Sequence, residues 1–232
     1  MNVKIRTLTL SFQQQELKVK LPKSYYKTEG KSYPLIIVQD GDYLYRDIEE
    51  DVIFVGIVPN DRKRDYIPWK ADIDGVEYGG EANSYLNWVA DKLIPYLRKC
   101  FNISQDNQDI GIGGASFGGL VSLYGLFYRP DAFGKYILIS PSVWYPEFIH
   151  FMKAQLPVYE PKQMYWYVGE LEGQHSDHPN QYMVPRTMHG VEIINELLVS
   201  EQSRFYFVTN KNALHRKPFF KKHFKKAVKK LF

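Results

Sequence analysis

Gly113-Gly114-Ala115-Ser116-Phe117-Gly118-Gly119 contains the pattern Gly-x-Ser-x-Gly. The apolar run 110–113 before it predicts a strand, and residues 117–128 after it predict a helix that ends near Pro130. A serine between a strand and a helix is typical of a nucleophile elbow, whose sharp turn exposes the hydroxyl and whose glycines allow close packing. The alternatives are a glycine-rich turn without chemistry and a phosphate-binding turn, although the sequence has neither G-x-G-x-x-G nor a Walker lysine.

Apolar runs bounded by turn residues predict further strands on both sides of this elbow, and continuous runs indicate strands that are buried on both faces. The predicted strands are 34–38, 52–58, 110–113, 136–139, 164–168 and 205–208, with an antiparallel hairpin at 4–10 and 16–21. Apolar residues at helical spacing predict helices, at 83–98, 117–128, 184–198 and the last turns of the chain. The alternation predicts an α/β fold with a mostly parallel central sheet, an antiparallel N-terminal hairpin and helices on both faces. The even composition favours one domain over residues 1–232.

The composition limits the class of protein. Hydrophobic residues make up 44% and charged residues 24% of the chain, as in ordinary globular proteins. Lysines concentrate in the terminal helix, but its other face carries apolar side chains, so we interpret it as an amphipathic docking helix and expect no nucleic-acid partner. The apolar side chains are Phe220, Phe224, Ala227 and Leu231. A single cysteine, Cys100, and no apolar run of the length that a signal peptide or membrane span needs lead us to expect a cytoplasmic protein without a membrane partner.

A serine nucleophile needs a base, and the usual chain order places the histidine last, after the final strand. His215 lies between the strand 204–208 and the terminal helix, which makes it the predicted base. We interpret His223, next to the helical lysines, as a surface residue. His175 and His178 lie in a polar loop that could bind a metal, but loop ligands of this kind seldom do, and we expect no metal and no cofactor.

The developing negative charge of such a reaction needs two backbone N–H donors. One is expected at Phe117, directly after the serine, and the other in the loop after the strand 34–38, where Asp42 is the candidate. The alternative for that loop is a simple Asp-Gly turn. A carboxylate beside an oxyanion should point away from it, since it would oppose the developing charge.

Several separate motifs, in order, resemble the esterase D and enterobactin-esterase group of α/β-hydrolases, which also includes feruloyl esterases and mycolyltransferases. They run from about Tyr33 to the end of the chain. The motifs are 34–41, Arg64-Asp65-Tyr66-Ile67-Pro68, Gly79-Gly80-Glu81-Ala82, Leu93-Ile94-Pro95-Tyr96, 113–119, Pro130-Asp131-Ala132-Phe133-Gly134 and Ser140-Pro141-Ser142-Val143-Trp144. The resemblance implies an α/β-hydrolase fold and hydrolysis of a small ester or thioester through an acyl-enzyme, without cofactor or metal. The segment Ala213-Leu214-His215-Arg216-Lys217 departs from it, because it lacks the glycine and tryptophan common around that histidine.

The same resemblance bears on substrate contacts and on the third catalytic residue. It places Trp144 and Tyr145 against the substrate, while Trp144 could equally belong to the core. Tyr43, in the loop after the strand 34–38, is a further candidate for a substrate contact. Arg62 and Arg64 could form a cationic rim for an anionic substrate, or a structural pair with an aspartate. Relatives carry an acid three positions after a glycine in the loop that follows a late strand, and Gly169-Glu170-Leu171-Glu172 fits that spacing with Glu172.

Alternatives remain for this acid and for the activity. Glu170 and Asp177 compete with Glu172, and a Ser–His dyad without an acid is the remaining reading. The sequence predicts a serine carboxylic ester hydrolase. An acyltransferase on the same fold differs only in the acceptor of the acyl group, and a catalytically silent binding protein is the alternative outside enzymes.

Overall fold

The computed structural model describes residues 7–174 and 176–232. In this part of the chain the strands are β1 (Leu8–Phe12), β2 (Gln15–Lys20), β3 (Leu35–Gln39), β4 (Ile53–Ile57), β5 (Ala71–Ile73), β6 (Val76–Tyr78), β7 (Ile110–Ala115), β8 (Lys135–Ile139), β9 (Gln163–Gly169) and β10 (Arg204–Asn210). The helices are α1 (Arg62–Asp65), α2 (Ala82–Trp88), α3 (Ile94–Cys100), α4 (Phe117–Tyr128), α5 (Phe148–Lys153), α6 (Met183–Leu197) and α7 (Lys217–Leu231). Residues 4–6 of the predicted hairpin lie outside the described residues.

Eight of these strands form one sheet, in the order β1-β2-β4-β3-β7-β8-β9-β10. The strands β1, β2 and β4 pair antiparallel, and every pair from β4 through β3 to β10 is parallel. The predicted α/β-hydrolase fold, with its mostly parallel sheet and N-terminal hairpin, is confirmed.

The core lies on both faces of this sheet, as the continuous apolar runs predict. Successive side chains of a strand point to opposite faces, so Leu35 and Ile37 pack with helices α2 to α6 while Ile36 and Val38 pack with α7. The apolar stripe of α7 is buried as predicted, and its seven lysines are exposed.

The helix predicted at 83–98 is formed by α2 and α3, joined by a π-helical segment Val89–Leu93. Pro95 follows this segment, and because proline lacks an amide hydrogen it cannot bond to the carbonyl one turn earlier. A π turn next to that residue is a common way to accommodate the lost bond. The sequence does not predict α1, α5 or the hairpin β5–β6, because each is too short to show a periodic pattern.

The parallel strands position the residues of interest. Because β3, β7, β8, β9 and β10 run in the same direction, the segments that follow their carboxyl ends meet at one edge of the sheet. This is the edge at which open α/β sheets bind ligands.

Candidate active site

Ser116 stands between β7 and α4 with φ of 59° and ψ of −121°. A positive φ is strained for any residue with a Cβ, and such strain persists where the surroundings enforce it. Here the enforcement is close packing: a Cβ on Gly118 would lie 2.7 Å from Gln39 Cβ, and one on Gly114 would lie 2.7 Å from the backbone of Gly118. The glycines of the motif therefore allow the helix to start directly against β3 and β7, as the sequence predicts.

The Ser116 hydroxyl lies 3.2 Å from Ser142 Oγ, and the Ser142 amide donates to the Ser116 carbonyl at 3.1 Å. Ser142 is fully buried in the segment that follows β8. Among the described residues no hydrogen bond joins Ser116 to His215. In the resting structure the hydrogen bonds of Ser116 therefore include two to Ser142 and none to the predicted base.

Glu172 and His215 are in direct contact. Glu172 Oε2 lies 2.6 Å from His215 Nδ1, and the Glu172 side chain is fully buried while one third of the His215 side chain is exposed. A carboxylate can only accept hydrogen bonds, so Nδ1 carries the ring hydrogen and donates a hydrogen bond to Glu172 Oε2. The other oxygen, Oε1, accepts from Ser140 Oγ at 2.7 Å and from the Gly169 amide at 2.8 Å. Burial of this carboxylate is thus compensated by three donors.

The two competing carboxylates lie elsewhere. Glu170 accepts from the Thr209 hydroxyl at 2.7 Å, and Asp177 is exposed in the loop before the turn Pro179–Tyr182. Of the three acids considered, the structure brings only Glu172 to His215.

Two amides at the start of the 40–48 loop are already occupied. The Asp40 N–H donates to the Tyr66 hydroxyl at 3.2 Å, and the Gly41 N–H donates to the Ile57 carbonyl at 2.8 Å. The next amide is that of Asp42. Among the described residues, no other side chain or carbonyl accepts a hydrogen bond from it. The Asp42 carboxylate pairs with Arg46, at 2.8 Å and 3.1 Å, and the hydrogen bonds from this guanidinium hold the pKa of Asp42 below its usual value. The charge that could oppose an oxyanion is therefore neutralised.

Asp40 is a site residue that the sequence analysis missed. Its carboxylate accepts two hydrogen bonds from Arg62, both of 3.0 Å, and its Oδ2 approaches Gly118. Burial raises the pKa of Asp40, while the charge of Arg62 opposes that rise. A structural Arg–Asp pair is one of the two roles that the sequence leaves open for Arg62 and Arg64. In the structure Arg62 pairs with Asp40, and Arg64 pairs with Asp65 at 2.9 Å.

Two of the aromatic residues expected at the substrate, Trp144 and Tyr43, differ in how far they are exposed. The Trp144 ring lies 5.7 Å from the Phe117 ring and 5.0 Å from the His178 ring, is nine-tenths buried, and its Nε1 has no partner among the described residues. Tyr43 is partly exposed beneath Lys217, next to the Asp42 loop.

Tyr145 is 1% exposed, and its hydroxyl donates to the Trp69 carbonyl at 2.7 Å. The side chain is thus held inside the protein in this structure, and its contact with substrate stays a prediction.

The structure also bears on the surface position predicted for His223 and on a metal site at His175 and His178. His223 is not a surface residue, since it is 2% exposed on the inner face of α7. The signal was present in the sequence, because His223 falls at helical spacing with Phe220 and Ala227. His175 lies outside the described residues. Within those residues no group of three or more acidic, histidine or cysteine side chains could hold a metal ion, and His178 instead lies 4.0 Å from Asp74.

Residues 13–223 match the family model described as "Putative esterase". The chain belongs to this esterase family. Over 230 residues it is 27% identical to the protein YbbA of Bacillus subtilis, covering 91% of this chain and 90% of YbbA. A second relative, the ferri-bacillibactin esterase BesA of Bacillus subtilis, is 34% identical over 110 residues, which span 45% of this chain and 37% of BesA.

Solved structures of low sequence identity share the fold of this esterase. An IroE-like serine hydrolase from Shewanella oneidensis superposes with a TM-score of 0.82 at 18% identity, covering 98% of this chain and 80% of that one. No helix in the described part of the esterase is both long and apolar enough to cross a membrane.

Proposed function

We propose that this esterase is a serine carboxylic ester hydrolase that works through an acyl-enzyme, with Ser116 as nucleophile, His215 as base and Glu172 as orienting acid. The observation that carries the proposal is the 2.6 Å contact between buried Glu172 and His215 Nδ1, at the sheet edge where the strained elbow presents Ser116. A carboxylate in that contact fixes the tautomer of the imidazole and stabilises the imidazolium that forms during attack.

The first step transfers a proton from Ser116 to His215. With Nδ1 committed to Glu172, the imidazole accepts at Nε2, and it must be neutral to do so. In this structure the Ser116 hydroxyl contacts Ser142 Oγ, and that contact leaves it able to donate to His215 if it accepts from Ser142. Catalytic hydrogen bonds are often loose before substrate binds, so the resting contact with Ser142 is compatible with this role.

The remaining steps follow from the same groups. As Ser116 Oγ bonds to the carbonyl carbon, negative charge develops on the carbonyl oxygen, and the amides of Phe117 and Asp42 are the proposed donors to it. His215 returns its proton to the departing alcohol, which leaves an acyl group on Ser116. Water then attacks the acyl group while His215 takes one proton from that water. The bond between Ser116 Oγ and the acyl carbon breaks, His215 returns the proton to Ser116 Oγ, and the acid is released.

We propose a siderophore ester as the substrate. The support is twofold: the relative BesA is named for a ferric siderophore, and the elbow is bordered by aromatic rings and a cation. Arg62 Cζ lies 5.7 Å from the centre of the Phe117 ring, and 40% of the Arg62 side chain is exposed. Its Nε and Nη2 are bonded to Asp40, so Nη1 is the group that can reach an anionic or aromatic part of a substrate.

The test is a panel of esters hydrolysed by the native chain and by Ser116→Ala. The panel contains p-nitrophenyl esters of increasing chain length, thioesters and ferric triester siderophores. The proposal requires hydrolysis by the native chain, at least about a thousand-fold loss in Ser116→Ala, and the highest kcat/KM on a siderophore. Hydrolysis of simple esters without hydrolysis of siderophores would reject the siderophore as substrate and still support the serine mechanism. Acyl transfer to an added alcohol in preference to water would make the chain an acyltransferase.

A further inference from the structure

Ser140 follows β8 in a conformation that serine rarely adopts. Its φ is 45°, its side chain is fully buried, and its amide donates to the Tyr167 carbonyl of β9 at 2.7 Å. A left-handed serine in the interior is costly and is retained where its surroundings require it. The backbone at this point is fixed against the neighbouring strand, which determines where the hydroxyl points.

That hydroxyl points at the acid. Ser140 Oγ donates to Glu172 Oε1 at 2.7 Å, and the Gly169 amide donates to the same oxygen at 2.8 Å. The two oxygens of Glu172 thus have separate partners, since Oε2 is bonded to His215. Among the described residues, Ser140 is the only one besides His215 that donates to this carboxylate from a side chain. Because the Glu172 side chain is fully buried, water does not reach it to replace a lost donor.

We propose that Ser140 is a positioning residue that fixes the rotation of the Glu172 carboxylate so that Oε2 faces His215 Nδ1. It touches neither the substrate nor the reacting atoms, and it acts through Glu172. The kinetic part of this proposal rests on the proposed esterase function, while the hydrogen-bond part concerns the resting protein alone. Loss of the hydroxyl should lower kcat about ten-fold, the effect of one hydrogen bond to a charged group, and leave KM unchanged.

A purely structural role for Ser140 makes a different prediction. If only the left-handed backbone matters, Ser140→Gly should behave like the native chain, because glycine adopts positive φ without strain, and only Ser140→Ala should be impaired. If the hydroxyl matters, both variants should lose the same activity. The matched control is Ser104→Ala. Ser104 also donates to a carboxylate, Asp109 Oδ2 at 2.8 Å, but this pair lies away from the site.

The kinetic experiment is a double-mutant cycle with Glu172→Gln on a p-nitrophenyl ester. Since Ser140 acts through Glu172, Ser140→Ala should lower kcat about ten-fold in the native chain and less than about two-fold in the Glu172→Gln background. Additive effects in the two backgrounds would overturn the proposal. So would native kcat in Ser140→Gly.

The second readout is the proton NMR signal of His215 Nδ1–H in the free protein, which we expect far downfield because the hydrogen bond to the Glu172 carboxylate is short, at 2.6 Å. His215→Ala assigns the signal by removing it. We expect Ser140→Ala and Ser140→Gly to shift it upfield and to speed its exchange with solvent, and Ser104→Ala to leave it unchanged. An unchanged signal in both Ser140 variants overturns the proposal. This readout needs no turnover, so absence of any esterase activity would reject the proposed function and still leave the positioning role decided.

Discussion

His215 and His223 lie eight positions apart and have opposite surroundings. His215 occupies the loop between β10 and α7, with one third of its side chain exposed and a buried carboxylate on Nδ1. His223 lies on the inner face of α7, where its ring stacks on Tyr167 at 3.6 Å and its Nδ1 lies 3.2 Å from the Tyr165 hydroxyl. One imidazole faces an acid and solvent, and the other faces aromatic rings.

The difference shows that the neighbours of a histidine determine its use. Burial, followed by the charges of Lys226 and Lys222, lowers the pKa of His223 to about 4, so this imidazole stays neutral at ordinary pH and serves packing. His215 has a carboxylate on Nδ1, and among the described residues its Nε2 makes no hydrogen bond. The comparison predicts that one histidine controls turnover and the other controls acid stability.

The largest expected effect is on turnover in His215→Ala. Serine and base act as a unit, so removal of the base should lower kcat at least about a thousand-fold. The measurement is steady-state ester hydrolysis at pH 8 with thermal melting in parallel. His223→Phe is the matched control and should keep kcat within about two-fold of the native value. Normal turnover in His215→Ala would redirect attention to the other histidines.

Glu172→Gln should have the next largest effect. Glutamine keeps the shape but cannot stabilise an imidazolium, so kcat should fall about a hundred-fold, less than for loss of the base. Glu170→Gln and Asp177→Asn, measured beside it, should keep native rates because neither acid contacts His215. Native turnover in all three variants would favour a Ser–His dyad, and a collapse in either control would move the acid assignment.

His223 should govern stability in acid. Its folded-state pKa of about 4 lies below the ordinary 6.5, so the unfolded chain binds more protons between these values. The contribution of the neutral imidazole is therefore complete above about pH 6.5 and is lost progressively as the pH falls from 6.5 through 4. Urea unfolding at pH 7 and pH 4 should show a smaller acid loss in His223→Phe than in the native chain. Equal losses would show that His223 is not held neutral.

The smallest expected effect concerns Arg46. Without its guanidinium the Asp42 carboxylate is left uncompensated beside the amide proposed as oxyanion donor, so Arg46→Ala should lower kcat about five-fold, or roughly 1 kcal/mol. Adding Asp42→Asn removes the charge and keeps the amide, so the double variant should recover most of the loss. If Arg46→Ala turns over at the native rate, the Asp42 amide is not near the developing charge.

The sequence predicts the parallel part of the sheet well, because the apolar runs of β3, β4, β8 and β9 are typical of strands buried on both faces. It does not predict α1, β5, β6 and α5, which are held by distant contacts. Trp69 illustrates this: its indole N–H donates to the Pro146 carbonyl at 3.1 Å, across more than seventy residues of chain.

The site divides in the same way. Ser116, Glu172 and His215 follow strand ends in a fixed order, so spacing and chain order point to them. The Asp40–Arg62 pair and the contacts of Ser140 and Ser142 depend on how separate loops approach each other at the sheet edge, and a linear pattern carries no signal for that. His223 was misplaced for a different reason: neighbouring lysines outweighed its position on the apolar stripe.

The central claim is that Ser116 is the nucleophile of an acyl-enzyme, and active-site labelling tests it most directly. The native chain is incubated with a fluorophosphonate, digested and analysed by mass spectrometry, beside Ser116→Ala and His215→Ala. The account predicts one adduct, on Ser116, which is absent in Ser116→Ala and forms far more slowly in His215→Ala. An unlabelled Ser116 in the folded native chain, or an adduct on another residue that forms equally in Ser116→Ala, would contradict it.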